Sequence, residues 1–79
     1  MNCRDEILFT VQQIIKAKGI NEFTISEVLH NMKIKGTKFN ESTIRTHITS
    51  RLCGNAPDNH PVTYDDFERI GRGVYKLLQ

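Results

Sequence analysis

The sequence predicts an α+β domain in which three helices precede a C-terminal β-hairpin. Three observations carry this. Apolar residues recur at helical spacing in three separate stretches, each marked by a capping residue at one or both ends. The stretch FERIGRGVYKLL alternates instead and turns at Gly-Arg-Gly. The chain, 79 residues with 38% hydrophobic and 25% charged side chains, suits one globular domain and leaves no room for a second.

The first helix is expected over Asp5 to Lys18, where Ile7, Leu8, Val11, Ile14 and Ile15 fall on one face and Gly19 supplies the stop. Phe9 lies roughly opposite that stripe, either against a terminal strand or loop or as a contact for a partner or a second copy. The second helix opens with a capping box. Thr24 and Glu27 are spaced to satisfy each other's backbone N–H groups, and Phe23 is placed to staple onto Val28. Ile25, Val28, Leu29 and Met32 form its buried face, Gly36 marks its end, and His30 sits beside the stripe as a surface or boundary residue. The third helix, residues 40–52, repeats this grammar with Asn40 as N-cap and Phe39 and Ile44 in the staple positions, running to Leu52 or Cys53.

Residues 54–63, GNAPDNHPVT, read as a loop in which Pro61 keeps His60 extended. In the hairpin, a three-residue turn Gly71-Arg72-Gly73 places Ile70 opposite Val74, Arg69 opposite Tyr75, Glu68 opposite Lys76 and Phe67 opposite Leu77. Phe67, Tyr75 and Leu77 then share a core face, and Glu68 and Lys76 pair on the other.

Three helices followed by a hairpin, with a short turn between the second and third, is the order of a winged helix-turn-helix. Function then turns on the third helix. Measured from an inner side of Ile44, Ile48 and Leu52, its outer side displays Ser42, Thr43, Thr46, Thr49, Ser50 and Cys53, with Arg45 and Arg51 flanking. Short hydroxyl side chains let a helix lie close in a major groove, and arginines extend to phosphates or guanine edges. The plainer reading is solvated surface, but threonine is a poor helix former and is rarely chosen for helicity. Thr37 and Lys38 in the turn and Arg72 at the hairpin tip complete the candidate DNA contacts. Charge agrees weakly: residues 1–32 sum to −1 and residues 33–79 to +3.

The stretches FTISEVL, STIRTHITSRLCGNAP and HPVTYDDFERIGRGVYKL together resemble a small bacterial and phage winged-helix family that occurs alone or fused to HNH-type restriction endonucleases. The likeness spans roughly residues 22–78. It implies a winged helix that binds double-stranded DNA, with residues 40–52 as recognition helix, residues 67–78 as wing, and no catalytic centre in this segment. Arg45, Thr46 and Arg51 occupy the recognition motif and Arg72 the wing motif. Because the chain stops at Gln79, any nuclease partner is expected to be a separate protein or absent.

Enzymatic candidates are sparse. His47, His60, Asp65 and Asp66 have no spacing that unites nucleophile, base and orienter, and Asp65 and Asp66 read as capping the strand entry. His47, Cys53 and His60 lack a fourth metal ligand, and positions 47 and 53 point to different helix faces, so no metal or cofactor is expected. Cys3 and Cys53 read as free thiols, against one bridge. The N-terminus MNCRDEILF is unlike a secretion signal, and no apolar run reaches the roughly 18 to 20 residues that cross a bilayer, so a cytoplasmic, nucleoid-associated protein is expected. Two classes remain: a DNA-binding regulator or targeting component of a restriction, defence or phage system, dimeric if Phe9 is its contact, and a protein-interaction module docking on a nuclease or polymerase.

Overall fold

The computed structural model describes residues 2–54 and 64–78, which form three helices and a three-stranded antiparallel sheet. In chain order these are α1 (Cys3–Lys18), β1 (Phe23–Thr24), α2 (Ile25–Ile34), α3 (Glu41–Thr46) continuing as a π-turn over His47–Arg51, β2 (Phe67–Gly71) and β3 (Val74–Leu77). Residues 55–63, with the expected extended conformation of His60, lie outside the described residues.

Each helix begins where its cap dictates. Asn2 accepts from the Asp5 N–H at 2.8 Å, so α1 starts two residues earlier than the apolar stripe alone suggests. Gly19 ends it with φ of 78°, in the left-handed region where a Cβ would be strained. The capping box of α2 is formed: Thr24 Oγ1 accepts from the Glu27 N–H at 3.1 Å, and Glu27 Oε1 accepts from the Thr24 N–H at 2.8 Å. Burial alone would raise the Glu27 pKa, but the Thr24 N–H and the Lys18 ammonium at 3.1 Å hold it below the ordinary glutamate value. Asn40 caps α3 through the Thr43 N–H at 2.8 Å.

β1 is an element that the sequence pattern does not reveal. At two residues it is too short to alternate, yet it pairs Phe23 with Tyr75 and Thr24 with Val74, giving the sheet order β1-β3-β2. Two residues before it, the Asn21 side chain bonds Leu77 twice, donating to its carbonyl at 2.7 Å and accepting from its N–H at 2.9 Å.

The hairpin register holds at Phe67↔Leu77, Glu68↔Lys76 and Arg69↔Tyr75, and Lys76 reaches Glu68 at 3.3 Å. The expectation that Ile70 faces Val74 is corrected: Gly71 takes that place and Ile70 is left in an irregularity between Arg69 and Gly71. One extra residue in β2 absorbs the difference between a shorter turn and the required register, so Phe67 and Tyr75 stay on the buried face.

The core joins all elements. Phe23 and Phe67, both fully buried, meet edge to face with centroids 4.9 Å apart, and Tyr75 stacks on Phe23 at 6.0 Å. Ile7, Val11 and Ile14 of α1, Val28 and Met32 of α2, and Ile44, Ile48 and Leu52 close around these rings. Burial pushes the Tyr75 hydroxyl above its usual pKa, and burial with the Glu6 charge does the same to the Cys3 thiol. Cys3 and Cys53 are buried thiols and are not joined to each other by a disulfide.

Two sequence readings fail for one reason, the docking of the α3 terminus onto β2. Cys53, expected on the outer face, is 2% exposed and bridges Phe67. The Leu52 carbonyl accepts from the N–H groups of Asp66 at 3.1 Å and Phe67 at 2.8 Å, and Gly54 donates to the Phe67 carbonyl at 2.8 Å. Asp66, expected to cap the strand entry, is 2% exposed and receives two bonds from the Arg4 guanidinium, at 2.9 and 3.0 Å. Arg4 also covers the Tyr64 ring, 3.8 Å from its centroid.

Two outcomes follow. Phe67→Ala should cost about 3 to 5 kcal/mol, which a domain this small does not survive as a cooperative fold; a two-state urea transition in that variant would contradict the packing described. Arg4→Met removes two bonds from the buried Asp66 carboxylate and should cost about 3 kcal/mol, the low end for breaking a buried pair, because Arg4 keeps contact with water. The double variant Arg4→Met/Asp66→Ala should be more stable in urea than Arg4→Met alone, since it also removes the buried charge that Arg4 neutralises.

Candidate nucleic-acid interface

The inner side of α3 and its π-turn is set by Ile44, Ile48 and Leu52, which are at most 2% exposed. That leaves the opposite side to solvent. Ser42, Arg45, Thr46 and Arg51 are exposed, while Thr43, Thr49 and Ser50 are half-buried. Five of the six small residues expected on this face are therefore accessible, and Cys53 is the exception.

The hydroxyls are not equivalent. Thr49 Oγ1 donates to the Arg45 carbonyl at 3.0 Å, a bond back onto its own helix, and Ser42 Oγ donates to the Asn40 side chain at 2.9 Å. Thr37 Oγ1 accepts from the Phe39 N–H at 3.3 Å and so holds the turn before α3. Lys38 lies over the Phe39 ring at 5.5 Å.

The π-turn changes how the face is laid out. Leu52 donates to the His47 carbonyl, five residues back, at 2.8 Å. The pull comes from beyond the helix, where Tyr64 donates to the Arg51 carbonyl at 2.7 Å and β2 holds Leu52. Ile48 and Leu52 face inward, and Cys53, beyond the end of the turn, is buried where it bridges Phe67.

Two shallow hollows flank the helix. One, of about 240 Å³, is lined by Ser42, Thr43, Thr46, His47 and Arg51. The other, of about 280 Å³, is lined by Arg45 with Glu41 and, from α2, Ser26, Leu29, His30 and Lys33. The structure thus brings four of the expected residues into one hollow and sets Arg45 in another. Among the described residues, no carboxylate forms an ion pair with Arg45, Arg51 or Arg72.

His47, His30, Lys33 and Ser26 are absent from the sequence-derived site. His47 follows Thr43 and precedes Arg51 by four residues each, so helical spacing alone would have placed it with them. The α2 residues depend on how two helices pack, which spacing does not give.

Arg72 belongs to neither hollow. It is exposed at the hairpin tip, next to Gly73, whose φ of 70° makes the turn and whose carbonyl accepts from the Ile25 N–H at 3.3 Å. The tip is therefore tied to the start of α2. Phe9 lies on a different surface. It is 48% exposed, with the ammonium of Lys35, in the turn after α2, 4.9 Å from its centroid, and it borders a hollow with Gln12, Gln13, Lys16 and Ala17.

Among the described residues no group of three or more His, Cys, Asp or Glu is placed to hold a metal ion, and no helix is long and apolar enough to cross a membrane. Comparison with curated proteins and with solved structures returns no match. Residues 6–77 do match the family described as Domain of unknown function (DUF7669), and the chain belongs to that family.

Proposed function

We propose that this chain is a winged-helix DNA-binding domain, with residues 40–52 entering the major groove of duplex DNA and the hairpin of residues 67–78 serving as wing. The observation that carries the reading is the outer face of α3. It presents small hydroxyl side chains between two arginines that lack carboxylate partners among the described residues, each in its own polar hollow. Small side chains permit close approach to base edges, while cations on either side suit the phosphate strands that border a groove. The sheet order β1-β3-β2, with a short strand ahead of the second helix, suits a winged helix. Its wing is short, because the Gly73 carbonyl binds the α2 start and leaves only the turn residues to project.

The role that fits is a small regulator, or the DNA-targeting component of a restriction, defence or phage system. A second reading, a protein-interaction module, has one observation in its favour: the half-exposed Phe9 ring beside its hollow on α1. Salt separates the two. Binding to duplex DNA through several phosphates weakens steeply as salt rises, with a slope of about 0.9 per contact on logarithmic axes.

Arg45→Ala and Arg51→Ala should each weaken duplex binding by about 1 to 3 kcal/mol without altering the thermal transition. Parent-like affinity in both variants would exclude α3 as the DNA-contacting helix. Arg72→Ala should weaken binding mainly to sites with A·T-rich flanks, whose narrow minor groove attracts arginine, and should lower the salt slope by about one. Equal affinity for A·T-rich and G·C-rich flanks, before and after the change, would remove the wing contact and leave the helix reading intact.

A further inference from the structure

The hollow that holds Arg51 contains a second group with a defined hydrogen-bonding role. His47 Nδ1 lies 2.9 Å from the Thr43 carbonyl oxygen. A carbonyl oxygen only accepts, so Nδ1 carries the proton and the neutral ring offers Nε2 as an acceptor. Among the described residues nothing bonds Nε2. Arg51 supplies the opposite chemistry, a planar fork of N–H donors.

His47 and Arg51 stand four positions apart, on the row that begins at Thr43. The hollow they share is lined by Ser42, Thr43, Thr46, His47 and Arg51. A donor fork therefore stands beside a single acceptor on the surface proposed to face base edges.

We infer that this pair reads a G·C base pair, Arg51 donating to guanine and His47 Nε2 accepting from the cytosine amino group. The inference rests on the DNA-binding reading and names the sequence feature recognised. On its major-groove edge guanine presents two acceptors, N7 and O6, and cytosine presents the N4 amino donor. Two donors and one acceptor on the protein match that order. An A·T pair does not, because adenine offers Arg51 one acceptor beside an amino donor, and thymine O4 would face the Nε2 lone pair. The Thr46 hydroxyl donates and accepts equally and adds no discrimination.

The test is selection of duplexes from a randomised pool by the parent, Arg51→Ala, His47→Phe and His47→Gln at about pH 8. Thermal melts serve as folding controls. The parent should select G·C at one position by about tenfold to a hundredfold over A·T, the range one good base contact supplies. Arg51→Ala and His47→Phe should lose that preference at the same position, whereas His47→Gln, which keeps an acceptor, should retain part of it. If His47→Phe does not fold, substituting 7-deazaguanine, which lacks N7, at the selected position should lower parent affinity and leave Arg51→Ala unaffected. Salt-dependent binding by the parent with no such position, or a loss in Arg51→Ala that is uniform across sequences, overturns the inference while leaving DNA binding in place. A parent that binds no duplex overturns both.

Discussion

The dipeptide Asp66-Phe67 is held by five residues, and the remaining geometry depends on it. Arg4 of α1 holds the Asp66 carboxylate, the Leu52 carbonyl takes both N–H groups, Gly54 donates to the Phe67 carbonyl, and the Phe67 ring fills the centre against Phe23. Leu78 closes the set by donating to the Asp66 carbonyl at 2.9 Å. These bonds fasten the first helix, the end of the third and the edge of the sheet to one point. The chain returns there across a gap of 62 residues from Arg4, so the loop-closure entropy is offset by a few part-buried contacts.

From that junction the tension runs into the candidate interface. Leu52 is held by β2 while Asn40 fixes the start of α3, and the helix between them makes its inward contacts by widening by one residue. The Thr49 hydroxyl, bonded to the Arg45 carbonyl, competes locally for the helix ladder and eases the change. The layout of the candidate face is thus set partly by contacts on the far side of the domain.

What the sequence makes legible is what is decided within a few residues. Asn40, the Thr24–Glu27 box and Gly19 act on neighbours three or four positions away, and all three stand where spacing puts them. The hairpin pairs 67–77 to 69–75 are equally local, and only the tip differs, through a single irregular residue. The exposed outer face of α3 is legible for the same reason, apart from Cys53. β1, the Arg4–Asp66 pair and the α2 side of the Arg45 hollow all join residues distant in sequence. No period or cap encodes them, and each appears only once the helices and the sheet are packed.

The side-chain amide of Asn21 acts as a counterfeit peptide group. Opposite Leu77, where another strand residue would complete the ladder, it supplies one donor and one acceptor from a side chain. On the sheet's other side Gly54 occupies the Phe67 carbonyl, and the next two residues along that edge, Glu68 and Arg69, are charged. A strand from a neighbouring molecule approaching either margin meets main-chain groups already engaged or a row of charge. Features of this kind discourage pairing between sheet edges of neighbouring molecules, the commonest route by which short-stranded sheets join in concentrated solution.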